Sequence, residues 1–104
     1  MPSRWFKEQF FSKARVRWVK GLSCSVPGCY SNPCDNAHIR SRGAGGTYRD
    51  IIPLCRYHHV EQHTAGIKTF AFKYGLDLKE LAKATASAWE AVQHNHIDDE
   101  DLAF

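Results

Sequence analysis

The stretch Leu54-Cys55-Arg56-Tyr57-His58-His59-Val60-Glu61-Gln62-His63 decides how this chain folds, because four metal-binding side chains lie within it. If the stretch is helical, Cys55 and His58 share one face of the helix. His59 and His63 share another face, about 100° around the axis. One short helix therefore supplies two different sites: a thiolate-bearing site suited to zinc and an imidazole-only site open to solvent.

A second cluster, Cys24-x4-Cys29, provides the thiolates that the first of these sites lacks. Structural zinc takes four closed, tetrahedral ligands, and both ligand gaps have the usual length. The predicted zinc ligands are Cys24, Cys29, Cys55 and His58. The remaining cysteine, Cys34, can replace Cys29 or His58 or stay a free buried thiol. We interpret Cys34 as a spectator, because it immediately precedes a predicted strand and faces away from a knuckle that is already closed.

Length and composition limit the class of protein. A chain of 104 residues predicts a single domain with a small core that a metal would help to stabilise. It has no apolar run of the ~20 residues that a membrane span needs, and its N-terminus does not resemble a secretory signal. We therefore expect an intracellular, cytoplasmic protein. Disulfides are rare there, so four cysteines beside six histidines favour metal binding. A disulfide pair is the alternative.

The net charge of +3 is unevenly distributed. Residues 1–60 hold ten Lys and Arg against three Asp and Glu, whereas residues 61–104 hold four against eight. The basic half contains the metal motifs, so a polyanion such as nucleic acid would bind that half. The alternative is a solvated basic helix and an acidic tail with no such partner.

Hydrophobic periodicity and turn residues predict an α+β domain, in which a small core is flanked by N- and C-terminal helices. The single domain 1–104 divides into a basic helix (1–21), a zinc knuckle with a strand–strand–helix core (22–65), and C-terminal helices with an acidic tail (66–104). The predicted elements are a helix over 4–20 capped by Ser3 and ended by Gly21, strands over 36–40 and 48–53, a metal-binding helix over 55–64, a bend at Gly66, a helix over 67–74 ended by Gly75, and a helix over 78–93 with an Asp77/Glu80 capping box.

The central motif runs from His38-Ile39 through Gly45-Gly46 to Asp50-Ile51-Ile52-Pro53-Leu54-Cys55-x-x-His58-His59. It resembles the HNH endonucleases with their ββα-metal fold, and especially their small, zinc-stapled, phage-type members. The resemblance is close over residues 22–65 and looser over Phe70–Leu78. It implies a metal-dependent DNA endonuclease that hydrolyses phosphodiester bonds.

The resemblance assigns catalytic roles to individual residues. His38 matches the histidine that deprotonates the attacking water, a task suited to an ordinary pKa of about 6.5. His59 and His63 match ligands of one divalent cation (Mg²⁺, Mn²⁺ or Ni²⁺) that neutralises charge in the transition state. Asp50 occupies the position that is usually asparagine and holds the loop in register, because its carboxylate still accepts backbone hydrogen bonds.

One position departs from the family pattern. The residue before the base is often a metal-ligating Asp or His, but here it is Ala37. The cation is then held by His59 and His63 with water, or else Asp35 or Asp50 substitutes as a ligand. A degenerate, inactive site is the remaining alternative, which we disfavour because His38, His59 and His63 are all present.

The expected partner is DNA, bound through its phosphate backbone without sequence readout. The candidate contacts are Arg40, Arg42, Arg49 and Arg56. A phage or host recombination or packaging protein is a further candidate partner, and no membrane is expected.

Two alternatives use the zinc site differently. A non-catalytic zinc-finger DNA-binding module would need neither His38 nor the pair His59 and His63. A protein-interaction adaptor with purely structural zinc would show no salt-dependent affinity for DNA.

Overall fold

A computed structural model describes residues 12–40 and 47–103, with side chains described as far as residue 93. The chain forms a small α+β fold with a two-stranded antiparallel sheet and four helices in the described residues. The elements are α1 (Lys13–Lys20), β1 (Cys34–His38), a 3₁₀ turn (Tyr48–Asp50), β2 (Ile51–Cys55), α2 (Arg56–Ala65), α3 (Ile67–Tyr74) and α4 (Leu78–Ala103).

The β1–β2 hairpin forms the centre of the fold. Its register pairs Cys34 with Cys55 at one end and His38 with Ile51 at the other. All five residues of β2 are buried, because α1 packs against β1 while α2 and α4 pack against β2. The most deeply buried side chains of this core are Phe70, Ile51, Ile52, Leu54, Val19 and Cys34.

The first helix differs from its prediction. It begins at Lys13, because Ser12 has an extended backbone and its hydroxyl accepts a hydrogen bond from the Arg15 N–H at 3.1 Å. A continuous helix over 4–20 is therefore wrong. The predicted cap at Ser3 and residues 4–11 lie outside the described part of the chain. The predicted end at Gly21 is confirmed, because the Gly21 N–H caps the last turn.

Both strands are displaced from their predicted positions. The first covers 34–38 instead of 36–40, and the second covers 51–55 instead of 48–53. The cause of the second displacement is local: Thr47 and Asp50 form a reciprocal capping box that folds residues 48–50 into a 3₁₀ turn. Cys34 and Cys55 thereby become a paired end of the hairpin. Residues 41–46, which include Gly45 and Gly46 of the motif, lie outside the described residues.

The C-terminal helices begin largely where the sequence predicts. Gly66 (φ 94°) separates α2 from α3, and Gly75 ends α3 in the left-handed region (φ 63°). The Asp77 carboxylate accepts from the Glu80 N–H at 3.2 Å, which is one half of the predicted capping box. The predicted end at residue 93 is wrong, because α4 continues to Ala103 through a stretch without Gly or Pro. Every helix among the described residues is too short or too polar to cross a bilayer.

A second hydrophobic cluster, separate from the main core, holds α4 against the hairpin. The rings of Trp18 and Trp89 are 5.4 Å apart, which joins α1 to α4. The buried Tyr48 donates to a carboxylate oxygen of Glu90 at 3.2 Å, and the Arg49 guanidinium bonds the same oxygen at 3.2 Å. Burial raises the pKa of Tyr48, so the phenol stays protonated and keeps this hydrogen bond. These contacts fix the turn that leads into β2.

Candidate functional site

The four predicted zinc ligands come together in the structure. Cys24 and Cys29 lie on the loop before β1, Cys55 ends β2, and His58 lies in the first turn of α2. Their ligand atoms all lie within 4.8 Å of one another, and the cluster is buried or half-buried. It is a Cys/His cluster that can hold a metal ion, and its composition is compatible with structural zinc.

The distances within this cluster fit a tetrahedral metal. With sulfur about 2.3 Å and nitrogen about 2.05 Å from zinc, a tetrahedron has S···S edges of about 3.8 Å and S···N edges of about 3.6 Å. The Sγ atoms of Cys29 and Cys55 are 3.9 Å apart. The His58 Nδ1 atom lies 3.5 Å from Cys24 Sγ and 3.3 Å from Cys55 Sγ. The side chains are therefore already arranged around a space of the right size.

The surroundings of Cys24 and Cys29 shift the pKa values of their thiols in opposite directions. Burial raises the pKa of Cys24 to about 11, although backbone N–H groups of Cys55 and Val26 donate to its sulfur and oppose the rise. The Ser31 hydroxyl and backbone N–H donate to Cys29 and lower its pKa. A bound cation would favour the thiolate at both positions, so metal uptake would release protons here.

Cys34 stands outside the cluster. Its side chain is fully buried, and its Sγ donates to the carbonyl oxygen of Ser31 at 3.4 Å. Burial raises the pKa of this thiol to about 11. All four cysteines of the chain lie among the described residues and are free thiols, so the alternative of a disulfide pair is not adopted.

The imidazole of His58 is held by aromatic rings on three sides. Tyr57 and Tyr74 meet it edge to face at 5.1 Å and 5.3 Å, and the centroid of Phe70 lies 6.4 Å away.

The Tyr74 hydroxyl and the Lys73 ammonium both donate to the Glu61 carboxylate and lower its pKa. These bonds join α3 to α2, so α3 supports the side of α2 that carries His58.

A second polar cluster occupies a different face of α2. The Nε2 atoms of His59 and His63 are 3.1 Å apart. The Nδ1 atom of His59 lies 2.9 Å from Asp35 Oδ2, on the neighbouring strand β1. Arg56 bonds both oxygens of the same carboxylate, with Nε 3.2 Å from Oδ2 and Nη2 3.3 Å from Oδ1. His59 and Asp35 are largely covered, whereas His63 is exposed.

Asp50 and His38 lie at the turn end of the hairpin. The Asp50 carboxylate accepts a hydrogen bond from the Thr47 N–H at 3.0 Å. The backbone carbonyl of Asp50 accepts one from the Ile39 N–H at 2.8 Å. Asp50 therefore ties the chain leaving β1 to the chain entering β2. His38 is the half-buried last residue of β1, and its carbonyl accepts from the buried Gln62 side chain at 3.3 Å. That bond brings the end of β1 against the middle of α2.

The four candidate arginines differ in their surroundings. Arg40 is exposed just after β1, and Arg42 lies outside the described residues. Arg49 is paired with Glu90 and stacks over the Tyr48 ring at 5.1 Å. Arg56 is paired with Asp35. Two of the four cations are therefore already engaged within the molecule.

Sequence reasoning missed two features of this region. It considered Asp35 as a metal ligand but not as the partner of His59, since the strand register that brings them together depends on where the strands begin. It also assigned nothing to Lys79 and Lys83 on α4. With Ile39 and Arg49 they line a cavity of about 310 Å³ between the 3₁₀ turn and α4. Their spacing of four residues on a predicted helix was the available signal.

The chain matches no protein-family model, and no solved structure matches it. It is similar to the uncharacterized protein YdfU of Escherichia coli (strain K12), with 37% identity over 82 residues. The match covers 73% of this chain and 21% of YdfU, so the chain spans about a fifth of that relative's length. The function of the site is therefore inferred from its geometry.

Proposed function

We propose that this chain is a metal-dependent DNA endonuclease of the HNH type, with a zinc-stapled ββα-metal core formed by β1, β2 and α2. The observation that carries the proposal is the pair His59 and His63. Two ligands at right angles, each about 2.1 Å from a metal, are about 3.0 Å apart. The two Nε2 atoms are 3.1 Å apart, which suits a single cation held between them.

The surroundings of the pair support a catalytic rather than a second structural site. The Cys/His cluster offers four ligand atoms from three segments, which is the full set for a closed structural zinc site. The histidine pair offers two imidazoles, one of them exposed, and so leaves coordination positions for water and substrate. Mg²⁺, Mn²⁺ or Ni²⁺ bound here would stabilise the negative charge that develops on a phosphodiester during hydrolysis.

The roles proposed for the remaining residues come from the HNH resemblance, supported by the contacts that hold these residues in place. His38 takes the proton of the attacking water, because a neutral imidazole is a suitable general base near neutral pH. Gln62 holds the carbonyl of His38 and so keeps the end of β1 against the helix that carries His59 and His63. Asp50 fixes the loop through the Thr47 N–H. Zinc at Cys24, Cys29, Cys55 and His58 joins the hairpin to the start of the helix.

DNA is the proposed substrate, recognised by its phosphates. Arg40 is exposed immediately after His38 and its neighbour Ile39, so it lies beside the proposed reaction centre. Arg42 keeps its proposed role on the basis of sequence alone. Lys79 and Lys83 add two exposed cations at the cavity next to Ile39. Such contacts position a duplex without reading its sequence. A phage or host recombination or packaging protein is a further proposed partner.

The test is cleavage of supercoiled plasmid by zinc-loaded protein in buffer freed of other metals. Mg²⁺, Mn²⁺ and Ni²⁺ are added separately, with a control without added cation, because a chelator would also remove the structural zinc. We expect nicked or linear plasmid only with added cation. His63→Ala should abolish it, and Thr64→Ala, an exposed neighbour on the same helix, should not. Plasmid that is bound but left intact with all three cations would favour the non-catalytic zinc-finger module.

A further inference from the structure

The contacts of Asp35 suggest a role that differs from metal ligation. We propose that Asp35 is a positioning residue: it fixes the tautomer and orientation of His59, so that the Nε2 atom faces the cation shared with His63, and Arg56 holds Asp35 in place. The inference rests on the proposed cation site of the pair but not on DNA cleavage.

The hydrogen-bonding capacity of the groups decides the tautomer. An ionised carboxylate only accepts hydrogen bonds, and a neutral imidazole carries one N–H. The Asp35 Oδ2 atom lies 2.9 Å from His59 Nδ1, so the imidazole proton belongs on Nδ1. The lone pair of His59 then lies on Nε2, the atom that is 3.1 Å from His63 Nε2. A carboxylate on the outer nitrogen also makes the imidazole a stronger ligand.

Arg56 explains why Asp35 stays beside His59 rather than entering the cation site. The guanidinium bonds Oδ1 and Oδ2 together at 3.3 Å and 3.2 Å, which orients the carboxylate plane. Both Asp35 oxygens are thereby engaged. Asp35 and Ala37 point to the same side of β1, because side chains alternate along a strand. Asp35 therefore supports the cation ligand His59 from the same side of β1 on which Ala37 provides no ligand atom.

The role assigned to Arg56 also changes. Its side chain is 80% exposed, which by itself would suit a phosphate contact. Its charge, however, is directed at the carboxylate that orients His59. Arg56 therefore acts through its ion pair with Asp35, and Arg40 is the better candidate for a DNA contact.

Two measurements on zinc-loaded protein test the inference without DNA. The first is the ¹⁵N chemical shifts of the His59 ring without added cation, where we expect Nδ1 protonated and Nε2 unprotonated. The second is titration with Ni²⁺ or Co²⁺. Loss of an outer-shell partner typically weakens metal binding about 10–100-fold, and we expect this for Asp35→Ala. Asp35→Asn, which preserves the shape, should lie between. Glu80→Ala, which removes an exposed acid on α4, should bind as the wild type does.

The outcomes separate this inference from the proposed function. Wild-type affinity in Asp35→Ala, or an Nε2-protonated His59 in the wild type, would overturn it even if the protein cleaves DNA. Weaker cation binding in Asp35→Ala together with an Nδ1-protonated His59 would support it even if no cleavage is found. Zinc content in each variant shows that the fold is retained.

Discussion

His58 and His59 are adjacent in sequence, yet their side chains belong to different clusters. The Nδ1 atom of His58 lies 3.3 Å from Cys55 Sγ, whereas the Nδ1 atom of His59 lies 2.9 Å from Asp35 Oδ2. The helix explains the divergence, because consecutive residues are about 100° apart around its axis. One turn of α2 therefore contributes to both a closed cluster and an open one.

This divergence predicts opposite effects for neighbouring substitutions. His58→Ala should lower zinc content and thermal stability, since it removes one of the four atoms of the closed cluster. His59→Ala should keep the zinc and remove binding of the second cation. Zinc analysis and Ni²⁺ titration of both variants provide the comparison. Equal zinc loss in the two proteins would contradict the assignment of two sites.

The zinc cluster predicts a contrast between cysteines. The wild type should contain about one zinc per chain when it is purified without chelator. Cys24→Ser should lose the zinc and unfold, because ligand and fold form together in small zinc domains. Cys34→Ala should keep one zinc, since the Cys34 sulfur donates to the Ser31 carbonyl and is not part of the Cys/His cluster. If Cys34→Ala lost its zinc instead, Cys34 would have to be a ligand.

The core predicts a contrast between two phenylalanines of α3. Phe70 is fully buried beside His58, whereas Phe72 is 91% exposed. Phe70→Ala should lower the free energy of unfolding by about 3–5 kcal/mol, since it removes a large core side chain. Phe72→Ala on the same helix should change it by less than about 0.5 kcal/mol. Chemical denaturation of both variants measures the difference, and similar losses would show that α3 packs differently.

DNA binding should depend on salt through the cations assigned to it. We expect the logarithm of the association constant to fall linearly with the logarithm of salt concentration. Arg40→Gln should make that slope shallower by about 0.9, the value for one lost phosphate contact. Lys73→Gln should leave the slope unchanged, because the Lys73 charge is paired with Glu61. Fluorescence anisotropy over a KCl series gives both slopes. A flat salt dependence in the wild type would favour the protein-interaction adaptor.

The members of the Cys/His cluster were predictable from the sequence because the spacing of the ligands limits the possible sets. The pattern Cys24-x4-Cys29 with Cys55-x2-His58 leaves few ways to close a tetrahedron, and the structure brings these residues together. The helix boundaries at Gly66 and Gly75 were also predictable, since positive φ angles favour glycine at helix ends. The strand boundaries were less predictable. The capping box between Thr47 and Asp50 competes with strand formation. A threonine and an aspartate at this spacing do not by themselves indicate such a box.

The Asp35–His59 contact could not be predicted for the same reason. It joins residues 24 positions apart and depends on the hairpin register and on how α2 lies against β1. Sequence spacing shows which residues share a face of α2, but not which strand residue faces them. The end of α4 was missed because the acidic residues 98–101 suggest fraying, although no helix-breaking residue interrupts the stretch.

The most direct test of the nuclease proposal compares plasmid cleavage by the wild type and by His38→Ala, both zinc-loaded and at saturating Mg²⁺, Mn²⁺ or Ni²⁺. The wild type should cleave. The variant should keep its zinc and its DNA affinity but cleave about 10²–10⁴-fold more slowly, the usual cost of losing a general base. Equal rates in the two proteins, or no cleavage by the wild type with any of the cations, would contradict the proposal.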